Sequence, residues 1–137
     1  MNYLQGILPE QLNSVWEQVR PLIAEACVYN NCRYLAMDYY EDIITSKKQL
    51  WLVKSDKTLR AIVITEIGIF PRKKCCAIDM CTGEGLEEWV ELLPIIEQWG
   101  RDQGCSQMFF NSRIGFERKL KQHGYVKTHS LLEKELY

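Results

Sequence analysis

The sequence predicts a single α/β (α+β) domain, residues 1–137, built on a mixed sheet. Short apolar runs at 50–54, 60–67 and 75–81, of which 60–67 is rich in β-branched residues, are typical of an antiparallel meander. Residues 75–112 then follow the order strand, glycine-bearing loop, helix, strand, which indicates one parallel crossover. A chain of 137 residues, 47% of them hydrophobic, can bury one sizeable core.

The first third of the chain predicts one strand and two helices. Residues 1–8 form a short strand. Apolar residues from Leu12 to Ala26 recur at helical spacing, so we expect a helix that starts at Pro9 and is kinked or broken near Pro21. A second helix is expected over residues 37–46.

The second half predicts alternating helices and strands. Residues 86–103 have helical periodicity, which Pro94 should kink or divide, and Gly104 suits the residue after a helix end. A buried strand at 106–112, a short helix at 114–122 closed by Gly124, and a last strand at 126–136 follow.

Charge and cysteine usage exclude several classes of protein. With 17 basic and 18 acidic residues, well mixed, the net charge of −1 gives no reason to expect nucleic-acid or membrane binding. No membrane span or secretory signal is recognisable, so a cytoplasmic protein is expected. The spacing of the six cysteines and two histidines does not suit zinc; most are expected to be core thiols, with Cys75 and Cys81 on one strand face and Cys76 on the other.

The loop of residues 82–85, hereafter the glycine loop, is a candidate anion site. It follows an apolar strand and precedes the long helical run, so its amides would lie at a helix N-terminus, where negative charge is favoured. The alternative is a plain turn between strand and helix.

Three stretches carry a resemblance to a known family: the central strand at 61–66, the helix end at 98–105, and residues 116–125, which close on Gly124 and Tyr125. In element order and in these stretches the chain resembles the GNAT (N-acetyltransferase) superfamily, especially small GNAT-like proteins of tailed phages. The resemblance implies a mixed central sheet with an antiparallel N-terminal meander, one β-α-β crossover and helices on both faces.

The resemblance also implies a reaction. Acetyl-CoA would be the co-substrate, lying between two splayed central strands with its pyrophosphate on the glycine loop. An acceptor amine would attack the thioester directly, with no metal and no covalent enzyme intermediate. The candidate cofactor-binding residues are Met80, Cys81, Thr82, Gly83, Glu84, Gly85, Leu86, Asn111 and Arg113.

The sequence departs from the family pattern at several of these positions. The family favours Gln or Arg at the start of the loop and small residues later, whereas this chain has Thr82 and, at the last small position, Glu87. Glu84 would add like charge near a pyrophosphate. Leu120 replaces the usual tyrosine acid. A second hypothesis is therefore a GNAT-fold binding or structural protein that has lost catalysis, encoded by a phage.

Two carboxylates are candidate general bases because each interrupts an apolar strand: Glu66 and Asp79. The alternative role for each is an ion pair with Arg60, Arg72 or Lys73. Tyr125 is a candidate acid, with Cys81 and Tyr39 as further candidates.

The acceptor, a small-molecule or protein amine, is expected to contact Tyr39 and Tyr40. The edge at residues 131–136 is a candidate for pairing with a second copy. A phage or host protein is another candidate partner; if phage-encoded, the protein would act in the host cytoplasm.

Overall fold

The computed structural model describes residues 2–30, 33–111 and 116–137, without the side chains of Asn30 and Leu86. Five strands form one mixed sheet in the order β1-β2-β3-β4-β5. The first four pair antiparallel, and β4 and β5 pair parallel, as the meander and crossover predict. The strands are β1 (Asn2–Ile7), β2 (Lys48–Ser55), β3 (Thr58–Ile69), β4 (Lys74–Gly83) and β5 (Gln107–Phe110).

Helices cover both faces of the sheet. Helices α1 (Leu12–Cys27) and α2 (Ala36–Ile44) bury their apolar residues against one face, together with alternate residues of β2 and β3 such as Leu50 and Ile62. Helices α3 (Leu86–Trp89), α4 (Leu93–Asp102) and α5 (Glu117–Gln122) close a second core on the other face. The α/β (α+β) class with helices on both faces is confirmed.

The two helix-internal prolines have different effects. Helix α1 continues through Pro21, so the predicted break is wrong; Pro21 and Glu17, whose carbonyl loses its helical donor, are both exposed, and water can bind that carbonyl. The run before Pro94 is divided as predicted. A 3₁₀ turn, Val90–Leu92, separates α3 from α4, and Pro94 lies in the first turn of α4, where no N–H donor is needed.

A β-bulge lies in the middle of β4. Ile64 pairs with Met80 while Thr65 pairs with Ile78, so Asp79 is an extra residue with no partner of its own on β3. The bulge reverses the alternation of side chains beyond it. Cys81 therefore packs in the same core as Cys76, and the prediction that these two thiols lie on opposite faces is wrong.

Strands β4 and β5 diverge at the bulge. They are paired from Cys75 and Gln107 up to Ile78 and Phe110, and the N–H of Asn111 still donates to the carbonyl of Ile78 at 3.3 Å. Beyond that point β4 continues to Gly83, and its edge on the β5 side pairs with no strand among the described residues. Within the described ranges, the first half of β4 is therefore paired on both edges and the second half is paired only with β3.

The predicted strand at residues 126–136 is wrong. These residues are described, form no strand and are exposed, although Lys127 and Glu117 form an ion pair. A strand with one buried face needs alternating apolar residues, and the adjacent Leu131 and Leu132 would point to opposite faces. None of the helices in the described ranges is long and apolar enough to cross a bilayer.

Trp89 should be the main anchor of α3. Its side chain is fully buried and stacks on Phe110 and Phe116, with ring centroids 6.5 and 6.3 Å away. We expect Trp89→Ala to lower the free energy of unfolding by about 3–5 kcal/mol because a large cavity is left. Urea denaturation measures the loss. The matched control is Ile95→Ala on α4, a side chain 49% exposed, which should change stability by less than about 0.5 kcal/mol. Equal losses in the two variants would contradict this packing.

Candidate functional site

Three charged side chains from three neighbouring strands meet beside the bulge: Lys48, Glu66 and Asp79, hereafter the charged cluster. Lys48 and Glu66 are directly opposite each other in the antiparallel pair β2–β3. The Lys48 ammonium lies 2.5 Å from Asp79 Oδ2 and 3.4 Å from Glu66 Oε1. The structure thus brings the two predicted bases to one place, where β4 and β5 diverge.

The three side chains of the charged cluster differ in how much solvent they contact. The Lys48 side chain is 5% exposed, whereas those of Asp79 and Glu66 are 18% and 32% exposed. Burial lowers the pKa of Lys48, but its hydrogen bond to Asp79 and the charges of Asp79 and Glu66 outweigh that effect, so the pKa is raised above its ordinary value. Lys48 is therefore a permanent cation beneath two carboxylates that reach solvent.

Two aromatic rings complete the surroundings of Lys48. Its ammonium lies 5.7 Å from the ring centroid of Tyr34 and 5.8 Å from that of Tyr39. Tyr39, a predicted acceptor contact, is thereby placed in the charged cluster. Tyr40, the other predicted contact, donates its hydroxyl proton to Asn13 Oδ1 at 2.7 Å and packs on Trp16, on the α1 side of α2.

Sequence reasoning missed Lys48 and Tyr34. The predicted ion-pair partners Arg60, Arg72 and Lys73 are not the ones found: both carboxylates pair with Lys48. The signal was available, since Lys48 shares a strand face with Leu50 and Leu52, but the strand was predicted to begin only at residue 50.

The glycine loop is held tightly against β3. Gly83 has φ +127°, and a Cβ there would lie 2.4 Å from the carbonyl oxygen of Arg60, so only glycine fits. The next residue, Glu84, donates its N–H to that same carbonyl at 2.8 Å. Gly85 has φ +66° and precedes α3. The backbone of β3 therefore fixes the loop.

The helix that follows the loop is short. Helix α3 has four residues before the 3₁₀ turn, so few peptide dipoles are aligned behind the loop. The prediction of an anion site at the start of one long helix is corrected on this point: the helix dipole contributes little, and Glu84, Glu87 and Glu88 oppose an anion.

The other predicted cofactor residues lie in β4, after it and beside it. Met80 is buried in the core beneath α1 and α2, Cys81 is partly buried against the core beneath α4, and Thr82 is buried beside the loop. Leu86 begins α3, and Asn111 is exposed after the end of β5, where its N–H donates to Ile78. Arg113 lies outside the described residues.

Tyr125 lies in the core on the α4 side. Its hydroxyl donates to Glu97 Oε2 at 2.9 Å, and its ring meets Phe110 edge-on. Burial, with the hydrogen bond and charge of Glu97, raises the pKa of Tyr125, so the phenol holds its proton more firmly than a free tyrosine. Leu120 is buried in the same core. Burial also raises the pKa of the Cys76 thiol to about 12.

Two grooves lie near the sheet. One of about 290 Å³ has Lys48 in its wall, between the end of β1 and α2, with Ile7, Ile43 and Leu50. An open one of about 550 Å³ lies between Trp51 and α4, away from the charged cluster. In the part of the chain that the structure describes, no group of three or more His, Cys, Asp or Glu residues could hold a metal ion.

Solved acetyltransferases are similar to this structure at the level of fold. The structure aligns with ribosomal-protein-alanine N-acetyltransferase from Brucella melitensis biovar Abortus 2308 (TM-score 0.67, 11% identity), covering 100% of this chain and 98% of the other. It also aligns with a predicted acetyltransferase from Clostridium acetobutylicum, solved with acetyl-CoA (TM-score 0.70, 10% identity, 99% and 97% covered).

A third similar structure is an aminoglycoside acetyltransferase from an uncultured soil metagenomic sample (TM-score 0.71, 10% identity, 100% and 99% covered). The chain has the GNAT fold. No family model matches the sequence, and no curated protein matches it. At these identities the GNAT likeness is one of fold, and the substrate and the catalytic step are matters for proposal.

Removing the cation of the charged cluster should destabilise the fold. In Lys48→Met two partly buried carboxylates lose their counter-ion, so we expect a loss of about 3 kcal/mol, the low end for buried pairs, because both carboxylates keep some solvent. The matched control is Lys47→Met, the exposed neighbour, which should change stability by less than about 0.5 kcal/mol. Chemical denaturation at neutral pH compares them, and equal stability of the two variants would contradict the ion pair.

The pH dependence of that loss has a definite sign. The folded pKa of Lys48 is raised above the ordinary 10.5, so its contribution is fully present below that pH and is lost as the pH rises through the folded value. The stability difference between the wild type and Lys48→Met should stay constant from pH 7 to about 10 and shrink above that. A difference that vanishes by pH 9 would be inconsistent with the raised pKa.

Proposed function

We propose that the protein is an acyl-CoA-dependent N-acetyltransferase that transfers an acetyl group directly to an amine. The observation that supports this most is the position of the charged cluster, at the bulge where β4 and β5 diverge. Carboxylates able to take a proton from an amine lie at the branch point of the sheet. The glycine loop lies at the far end of the same half-paired strand, about four residues away.

The residues from Met80 to Leu86, with Asn111, would hold acetyl-CoA. The backbone of β4 beyond Ile78 can offer N–H and C=O groups to an extended ligand, as an unpaired strand edge does. The residues present fit in part: Gly83 and Gly85 leave the loop free of side chains, while Glu84 opposes a phosphate. When bound, acetyl-CoA supplies the activated acetyl group as a thioester.

The side chains of this protein would accept the proton that the acceptor amine loses and would position the amine for attack. An acceptor that arrives as an ammonium ion must first lose a proton, and a carboxylate of the charged cluster can receive it. The amine nitrogen then forms a bond to the acetyl carbonyl carbon while the carbon–sulfur bond breaks. The second proton of the nitrogen passes to the departing sulfur, so the products are an amide and a free thiol.

Glu66 is the better placed of the two carboxylates for this role. Asp79 is held by Lys48 at 2.5 Å, whereas Glu66 is 3.4 Å from Lys48 and is the more exposed. The Asp79 carboxylate is hydrogen-bonded to Lys48 and positions it, so Glu66 is left to meet the acceptor. The net negative charge of the cluster, one cation with two carboxylates, favours an acceptor that arrives as a cation.

A second function is supported by a different observation. Leu120 is buried in the core, and the loop amide of Glu84 already donates to the carbonyl of Arg60. With three acidic residues near the loop, a GNAT-fold protein that binds a partner without catalysis, of the kind the phage resemblance implies, accounts for these features. The two functions differ in whether acetyl-CoA binds.

Acetyl-CoA should stabilise the protein against heat. A ligand at 100 times its dissociation constant adds about 2.7 kcal/mol, which for a chain of this size raises Tm by roughly 5–10 °C. Differential scanning fluorimetry with and without 1 mM acetyl-CoA measures this, with AMP as the control ligand. No shift at that concentration would reject the acetyltransferase and leave the binding protein.

Glu66→Gln should lower turnover more than Asp79→Asn. Release of the CoA thiol is followed with a panel of amines that includes spermidine and a lysine-containing peptide. Loss of the base should reduce kcat by roughly 100-fold and remove the fall in rate at low pH, because no carboxylate then needs to be ionised. Asp79→Asn is the matched control and should keep that fall. If Glu66→Gln retains the wild-type pH profile, Glu66 is not the base.

A further inference from the structure

Arg60 lies against the glycine loop from the neighbouring strand. Its carbonyl accepts the N–H of Glu84 at 2.8 Å and faces Gly83, so the backbone of Arg60 and that of the loop move together. Its side chain extends over the next turn. Arg60 Nη2 is 3.4 Å from the point that a Cβ of Gly85 would occupy. The guanidinium of Arg60 thus lies on one side of Gly85, and Glu88 Oε2, 3.6 Å from the same point, lies beside it.

The hydrogen-bonding capacity of this guanidinium is not used up. Arg60 Nε is buried, and no hydrogen-bond partner for it is found among the described residues. The nearest carboxylate oxygen, Glu84 Oε2, is 3.7 Å away, beyond hydrogen-bond distance. A buried donor without an acceptor costs free energy, and a ligand that supplies the acceptor recovers it.

The Glu84 carboxylate is a loose partner. Its side chain is 83% exposed and that of Arg60 is 34% exposed, so their ion pair is solvated and weak. A diphosphate group offers several oxygens in the planar arrangement that a guanidinium binds through two parallel hydrogen bonds. Such an anion would exchange readily with Glu84, which can turn into solvent.

We propose that Arg60 supplies the cationic contact for the diphosphate of acyl-CoA and that Glu84 holds Arg60 in place until that diphosphate replaces it. The inference rests on the proposed function. It accounts for a loop that begins with Thr82, a residue without charge, and that is followed by a helix too short to bind an anion by its dipole. The cation comes from β3 instead of from the loop.

The test compares two acetyl thioesters, of which only one carries the group that Arg60 would bind. Acetyl-CoA contains the diphosphate, and S-acetylpantetheine lacks it together with the nucleotide. Isothermal titration calorimetry at low ionic strength measures both dissociation constants for wild type, Arg60→Met, Arg60→Lys and Glu84→Gln. Circular dichroism and urea denaturation confirm that each variant is folded. Glu91→Gln, another exposed carboxylate, is the control for general charge.

We expect Arg60→Met to raise the dissociation constant of acetyl-CoA at least about tenfold. The dissociation constant of S-acetylpantetheine should change by less than about twofold. Arg60→Lys should recover part of the affinity, since it restores charge without the planar pair of donors. Glu84→Gln should lower the dissociation constant of acetyl-CoA about threefold. Adding 0.5 M salt should reduce this gain, and the gain should be absent when Glu84→Gln is combined with Arg60→Met.

Two results would overturn the inference while leaving the acetyltransferase intact: equal weakening of both ligands by Arg60→Met, or no change in either. An improvement by Glu91→Gln as large as that by Glu84→Gln would reduce the role of Glu84 to general charge and would also count against it. If neither ligand binds the wild type, the proposed function itself fails, which is a distinct outcome.

Discussion

A buried ammonium group must be paired, and in this fold that requirement falls on Lys48. The energy of leaving it alone in the core is several kcal/mol, so its two carboxylate partners have to be within reach. Asp79 reaches Lys48 because the bulge adds a residue to β4, and Glu66 reaches it because it is directly opposite across β2 and β3. The same bulge ends the pairing with β5. One electrostatic requirement thus ties together the site and the place where the sheet opens.

Much of this architecture could be predicted from the sequence, because periodicity reports which face of an element is buried. The meander, the crossover and the division before Pro94 follow from that alone. The bulge could not be predicted, since it is a matter of register between β3 and β4 and leaves no local signal at Asp79. The extra residue determines on which side of the sheet the Cys81 side chain lies and whether Asp79 can reach Lys48.

The sequence therefore identified only part of the candidate site. Glu66 and Asp79 could be selected because charges in apolar strands need a reason. Their partner Lys48 was missed because it follows Lys47 and resembles a solvated charge unless β2 is extended back to residue 48, where Lys48 shares a face with Leu50 and Leu52. Arg60 is a similar case. Its relation to Gly83 and Gly85 arises from the pairing of β3 with β4, and the sequence placed it only as a partner for carboxylates. The predicted C-terminal strand is wrong because residues 126–136 lack the alternation of apolar and polar residues that a half-buried strand needs.

The raised pKa of Cys76 has a chemical consequence for a protein whose proposed reaction releases a free thiol. Disulfide exchange requires a thiolate, and at neutral pH a thiol with a pKa of about 12 is ionised in only about one molecule in 100,000. Cys76 lies in β4, on the same strand as the bulged Asp79. Its thiol would nevertheless neither attack a mixed disulfide nor be oxidised readily. The core beneath α4 thus holds a cysteine whose thiol is poorly reactive towards disulfides and oxidants.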